Sequence, residues 1–163
     1  MVKRHLEDII QRYLFKNKTV IIFGARQVGK TTIVNEIIRK QKTKVLFLNG
    51  DDADTRDLFS AASASKLKPV LENYKIVVLD EAQRIPDAGL GIKIIHDNFK
   101  DIQLIVTGSS SLQLAETIKE PLTGRKFEFF LYPFSFSEMA DHNGFLNEKR
   151  LLEHRLIYGL YPD

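Results

Sequence analysis

The stretch "VIIFGARQVGKTTIV", residues 20–34, places a run of β-branched and aromatic residues directly before a loop with two glycines, a lysine and two threonines. An apolar run this short, bounded by glycine, reads as a buried strand, and the spacing from Thr32 to Arg39 reads as a helix. Between them Gly24, Gly29, Lys30 and Thr31 fit G-x-x-x-x-G-K-[ST], the spacing of a phosphate-binding loop, in the strand-to-helix setting that the motif requires. Glycine lets the chain curl tightly enough for the backbone N–H groups of Gly24, Ala25, Arg26, Gln27, Val28, Gly29, Lys30, Thr31 and Thr32 to line one anion-sized hollow at the positive end of the helix. Lys30 would reach the β- and γ-phosphates of a bound nucleotide, and the Thr31 hydroxyl would be a magnesium ligand. The plain alternative is an ordinary strand-to-helix turn.

The rest of the composition suits one compact domain. The chain has 163 residues, of which 44% are hydrophobic and 28% charged, far from a disordered composition. Its longest apolar runs, such as "VIIF" and "IVVL", fall well short of the roughly 20 residues of a spanning helix. Glu7 and Asp8 interrupt "MVKRHLEDII" before it forms a secretory signal, so a cytoplasmic location is expected. Cysteine is absent and the four histidines, His5, His96, His142 and His154, are scattered, which excludes disulfides and cysteine-ligated zinc. A net charge of +3, from 24 basic and 21 acidic residues, does not announce a nucleic-acid surface. The densest basic run, Arg39, Lys40, Lys42 and Lys44, reads first as a solvated helix end, and second as a contact to a phosphate backbone.

Apolar residues Leu6, Ile9, Ile10, Tyr13 and Leu14 recur at helical spacing, which predicts an N-terminal helix ending near Asn17. Five strand-like runs follow: "TVIIF" from Thr19, "KVLFL" from Lys44, "KIVVL" from Lys75, "IQLIV" from Ile102 and "KFEFFL" from Lys126. Helical patterns separate them at Thr32 to Arg39, Thr55 to Ala62, Lys66 to Asn73, Leu90 to Phe99 and Leu112 to Lys119. Near-continuous apolar strands alternating with helices predict an open α/β fold, a parallel sheet with helices on both faces. Ligands of such sheets bind beyond the carboxyl ends of the strands. A last helical pattern, Leu151 to Tyr158, stops in a Gly and Pro turn.

"KIVVLDEAQR" supplies the carboxylates that a nucleotide site needs, because its apolar strand delivers Asp80 and Glu81 at the carboxyl end. Asp80 would hold magnesium. Glu81 would orient and deprotonate a water for in-line attack on the γ-phosphorus. Taken alone, an acidic pair after a strand is as readily a helix N-cap. At the end of "LIVTGSSS", Thr107 would sense the γ-phosphate or position the water, with Ser109 and Ser110 as substitutes, each equally suited to an N-cap. Arg125, before the last strand, would be a charge-stabilising finger in its own or a neighbouring subunit. A lone arginine is otherwise a surface residue.

Together these residues give the chain the look of an AAA+ P-loop ATPase, with Walker A at Gly24 to Thr32 and Walker B at Asp80 and Glu81. More narrowly it resembles a prokaryotic family with an N-terminal AAA domain and an uncharacterised C-terminal domain, the AAA_14 and DUF4143 pair. The matching stretches are "GARQVGKTT", "LDEAQRIPD", "VTGSSS", "LTGR" and "LYPFSFSEM", in the family's order. The resemblance implies a P-loop NTPase sheet of five strands in the order 5-1-4-3-2, ATP/ADP with Mg2+ as ligands, and Arg125 as a finger, which would suggest a homo-oligomer if it acts between subunits. It also implies further chain after "YGLYPD", so residues 1–145 read as the ATP-binding domain and 146–163 as the start of a truncated C-terminal module.

Four functions share such a loop. An ATP-hydrolysing motor or switch, with a DNA or protein partner, uses the most residues. A regulatory module with little or no turnover uses the loop alone. A small-molecule kinase is disfavoured by Glu81, which is poised for water. A DEAD-type helicase, suggested by "DEAQ", needs two nucleotide-clamping domains, and the chain has room for one.

Overall fold

A computed structural model describes residues 2–109 and 122–162. Each strand-like run is a strand: β1 (Thr19–Phe23), β2 (Val45–Asn49), β3 (Ile76–Asp80), β4 (Gln103–Gly108) and β5 (Lys126–Phe130). Every neighbouring pair is parallel, in the order β2-β3-β4-β1-β5. Counted from the other edge this is 5-1-4-3-2, the order that the resemblance implied. The three inner strands are buried along their whole length, and so they read as unbroken apolar runs, whereas edge strands β2 and β5 keep partly exposed residues.

Successive side chains of a strand point to opposite faces, and β1 shows where each leads. Val20 and Ile22 join Ile10 of α1 (His5–Tyr13) and Ile33, Val34 and Ile37 of α2 (Lys30–Arg39). Ile21 and Phe23 join the opposite layer, built from α3 (Ala53–Phe59), α4 (Ala64–Leu71) and α5 (Ala88–Asn98) through Phe59, Leu67, Leu71, Ile92 and Ile95. Helices therefore cover both faces. Among the described residues no helix is long and apolar enough to cross a membrane.

Helix starts differ from the apolar pattern in one direction. Helices α2 to α5 each begin two residues before the expected first position, because a first turn is set by its cap and its backbone rather than by apolar side chains. In α4 the Ser63 hydroxyl accepts from the backbone N–H of Lys66. Helix α1 stops at Tyr13 rather than near Asn17, since Phe15 and Asn17 take left-handed φ of 57° and 56°. The buried Gln103 side chain fixes that turn by accepting from the Phe15 N–H and donating to the Lys18 carbonyl. The helix expected at Leu112–Lys119 lies outside the described residues.

After β5 comes a helix that the apolar pattern did not announce, α6 (Phe136–Asn143). Ser135 and Glu138 form a capping box at its start, each side chain accepting from the other's backbone N–H. Glu138 also accepts from the His5 N–H at 2.9 Å and lies 3.5 Å from Arg4 Nε. Arg4 packs over the Phe134 ring at 4.4 Å, and burial holds its pKa below the usual guanidinium value. The start of α1 is thereby fastened to the segment after β5. Helices α7 (Phe145–Arg150) and α8 (Leu152–Tyr158) complete the described chain.

Replacing the capping hydroxyl, Ser135→Ala, is expected to remove about 1 kcal/mol of folding stability, read as a lower urea midpoint at unchanged slope. An unchanged midpoint would show that the box contributes nothing.

Candidate functional site

The site forms where β1, β3 and β4 end. In the strand order, β1 leads toward one side of the sheet, to β2, and β4 toward the other, to β5, the arrangement at which open α/β sheets place their ligand crevice. The loop after β1 is held close against the sheet. Its Gly24 N–H donates to the Gly108 carbonyl of β4 at 3.3 Å, and a Cβ at Gly24 would sit 2.5 Å from the Leu131 carbonyl oxygen. Only glycine fits there. Gly29, directly before α2, has φ 91°, a left-handed conformation that glycine adopts without steric cost.

Lys30 is the first residue of α2 and is only 5% exposed. Its ammonium donates to the carbonyls of Gly24 and Ala25, at 3.1 and 3.0 Å, and lies 3.8 Å from Glu81 Oε1. Folding the loop back over its own lysine thus supplies oxygen partners to a buried cation, which would be costly to leave unpaired. The next residue of α2, Thr31, donates its hydroxyl to Asp80 Oδ2 at 2.8 Å. The other carboxylate oxygen, Oδ1, accepts from the fully buried Thr107 hydroxyl of β4. Thr107 Oγ1 in turn accepts from the Glu81 N–H at 3.2 Å.

Like Gln27 of the loop, at φ 62°, Glu81 has a constrained backbone. Its φ of 52° and ψ of 43° are left-handed, a conformation that costs a non-glycine residue on the order of 1 kcal/mol. Besides the Thr107 contact, its carbonyl accepts from the Arg84 N–H at 2.9 Å, starting the 3-10 turn Ala82–Arg84. Glu81 makes no side-chain cap there. Its carboxylate instead faces Lys30 and accepts from the Gln83 side-chain amide.

These contacts unite Lys30, Thr31, Asp80, Glu81 and Thr107. Thr31 and Asp80 offer a hydroxyl and a carboxylate, hard oxygen donors that suit a Mg2+ ion sharing its shell with waters and phosphates. Among the described residues no three His, Cys, Asp or Glu side chains cluster as a metal cage, and a shared ion requires none. Ser109 lies beside the site, its N–H donating to Gln83 Oε1 at 3.1 Å, whereas Ser110 lies outside the described residues. Gln83 did not stand out in the sequence, where its only signal was its place two residues after Glu81.

Arg125 stands apart. Its carbonyl accepts from the N–H of Thr19, at the start of β1, and its guanidinium pairs with Asp97 at 3.1 Å. The length of β1, about 16 Å at 3.3 Å per residue, separates that end from the loop, so the structure does not bring Arg125 to the hollow of its own chain. In the basic run, Arg39 pairs with Glu36 and Lys40 with Glu7.

Two of the cavities among the described residues have nearly equal volumes. One, of about 390 Å³, adjoins the loop and is lined by Val28, Gly29 and Thr32 together with Arg4, Phe134 and Tyr161. The other, of about 380 Å³, lies at the opposite pole beside Phe15, His96 and Lys100 and touches none of the loop residues. The first borders the loop, and neither is lined by Lys30, Thr31, Asp80, Glu81 or Thr107.

Residues 16–140 match AAA_14, an AAA domain family. The chain belongs to this family. Among curated proteins this AAA domain is similar to two uncharacterized proteins of Methanocaldococcus jannaschii, 28% identical over 144 residues and 27% over 152. Those matches cover 86% and 82% of the chain but only 32% and 30% of the relatives, so the chain spans about a third of their length. Solved structures with a similar fold include the Aeropyrum pernix ORC1 protein in complex with DNA, at TM-score 0.63 and 16% identity, over 94% of this chain and 50% of that one. A structure bearing on DNA unwinding at forked double-stranded DNA by two coordinating Pif1 helicases aligns at TM-score 0.54 and 13% identity, over 83% and 45%. At these identities the likeness is one of fold, an AAA-type P-loop domain.

Gly50 tests how tightly the site is built, because a Cβ there would sit 2.5 Å from the Glu81 carbonyl oxygen. Gly50→Ala is expected to cost about 1–3 kcal/mol through overpacking, measured by chemical denaturation. Full tolerance would mean that the Glu81 backbone is free to shift.

Proposed function

We propose that this AAA domain binds ATP with Mg2+ and hydrolyses it, acting as a motor or switch for a partner. The observation that carries this reading is the Asp80 carboxylate, which accepts from Thr31 of the loop on one oxygen and from Thr107 of β4 on the other. Loop, carboxylate pair and β4 threonine thus share one hollow.

In this reading Lys30 exchanges its loop carbonyls for β- and γ-phosphate oxygens, and the backbone amides of Gly24 to Thr32 hold the rest of the triphosphate. Thr31 and Asp80 hold Mg2+, which neutralises phosphate charge when bound. Glu81 accepts a proton from a water as the water oxygen bonds to the γ-phosphorus. The bond from that phosphorus to the bridging oxygen breaks, and its electron pair leaves with ADP. Thr107, already joined to both carboxylates' segments, positions the water. The cavity beside Val28, Gly29 and Thr32 takes the base and ribose.

A second reading, a nucleotide-dependent regulatory module with little turnover, is favoured by the distance of Arg125 from the hollow. In an ATPase assembly Arg125 would act on a neighbouring subunit's nucleotide. The partner is proposed as DNA or a protein; DNA is suggested by the two structural neighbours, one in complex with DNA and the other helicases that unwind forked double-stranded DNA. Residues 146–163 are proposed as the start of a C-terminal module of the DUF4143 kind, with 1–145 as the nucleotide domain and the cytoplasm as its location. Phe145, Leu146, Leu156 and Ile157 of α7 and α8, each at least 60% exposed, support that boundary.

Lys30→Ala is expected to abolish binding of a fluorescent ATP analogue, whereas Glu81→Gln keeps binding and lowers turnover by at least about 100-fold. Equal phosphate release by Glu81→Gln and the parent would end the hydrolase reading and leave the regulatory one. Mixing Arg125→Ala with Lys30→Ala protein is expected to restore turnover, since each supplies what the other lacks. Additive, uncomplemented loss would remove the role of Arg125 between subunits.

A further inference from the structure

We infer that Gln83 is a positioning residue that ties the Glu81 carboxylate to the end of β4, so that the backbone at Ser109 helps set where the water-activating group sits. The inference rests on the hydrolase reading and adds a residue to it.

Gln83 bridges two groups that need opposite partners, a donor for the Glu81 carboxylate and an acceptor for the Ser109 N–H. Its Nε2 donates to Glu81 Oε2, and its Oε1 accepts from the Ser109 N–H at 3.1 Å. An ionised carboxylate only accepts and a backbone N–H only donates, so the amide orientation follows from chemistry alone. Among uncharged side chains of this length, only an amide donates at one end while accepting at the other. The Glu81 carboxylate is thereby held between two tethers of different origin: Lys30, 3.8 Å from Oε1, and Gln83 on Oε2.

The two tethers respond differently to a bound nucleotide. Phosphate oxygens compete for the Lys30 ammonium and weaken its hold on Glu81. Gln83 has no such competitor, because its second bond is to backbone. With the Glu81 main chain already fixed by its left-handed φ and by Thr107, the remaining freedom of the carboxylate is in its side-chain torsions. Gln83 restrains these. A movement at Ser109 would pass through one amide to the catalytic oxygen, which makes the β4 end a place where a partner could set the turnover rate.

Two variants separate this role from simple bracing of the turn. Gln83→Met keeps the shape and removes both bonds. Gln83→Glu keeps an acceptor for Ser109 but sets a second negative charge against Glu81. In both, a fluorescent ADP titration is expected to give affinity within about twofold of the parent, while kcat falls about 10- to 100-fold at little-changed KM, the scale of an ångström-sized misplacement. Amide hydrogen exchange at Ser109, followed without nucleotide, is expected to speed up in Gln83→Met and to stay near the parent rate in Gln83→Glu. Parental kcat in Gln83→Met, or kcat restored in Gln83→Glu along with the slow Ser109 amide, overturns the inference while leaving the hydrolase reading intact. Parent turnover no higher than that of Glu81→Gln, run alongside, removes the hydrolase reading and the role of Gln83 with it.

Discussion

The site depends on one buried carboxylate. Asp80 is 5% exposed and each of its oxygens accepts a hydroxyl, from Thr31 and from Thr107. Left without donors, a charge in that position would be strongly destabilising; hydrogen bonds to a charged group contribute about 1.5–3 kcal/mol each. The two donors come from elements far apart in the chain, and only the strand order brings them together. Because β4 lies between β1 and β3, its threonine stands beside the carboxylate at the end of β3, while α2, leaving the end of β1, reaches across with the other hydroxyl.

Lys30 meets the same requirement differently. A cation this buried needs oxygens, and the loop provides two of its own carbonyls with a carboxylate nearby. The loop is therefore ordered around its own lysine, with the positive charge already in place. Ligand oxygens would exchange for loop oxygens rather than having to organise the lysine from solution, which reduces the ordering cost of binding.

Much of this was legible in the sequence because the physics behind it is local. Short unbroken apolar runs mark the inner strands, and the loop glycines announce their own geometry: Gly24 has no room for a Cβ and Gly29 takes a positive φ. Asp80 and Glu81 were legible from their place at a strand end. Less local features were not. The position of Arg125 follows from the register that pairs Thr19 with Lys126, a long-range fact that no short window contains. Gln83 matters through Ser109, 26 residues away. Helix α6 was within reach, since Ser135 and Glu138 spell a capping box, but its sparse apolar residues gave no clear helical period. Ser110 and the expected helix Leu112–Lys119 fall outside the described residues.

The segment around Leu160 returns to the loop. The Leu160 carbonyl accepts from the Phe134 N–H at 2.8 Å, and Tyr161 and Pro162 help wall the cavity that Val28, Gly29 and Thr32 share. A Cβ at Gly29 would meet the Pro162 ring at 3.7 Å. A ligand that touched these residues in that cavity would link its binding to the seating of the segment, and such linkage is reciprocal. Whatever factor a ligand adds to the grip on residues 160–162, tension applied to those residues subtracts from the affinity for the ligand.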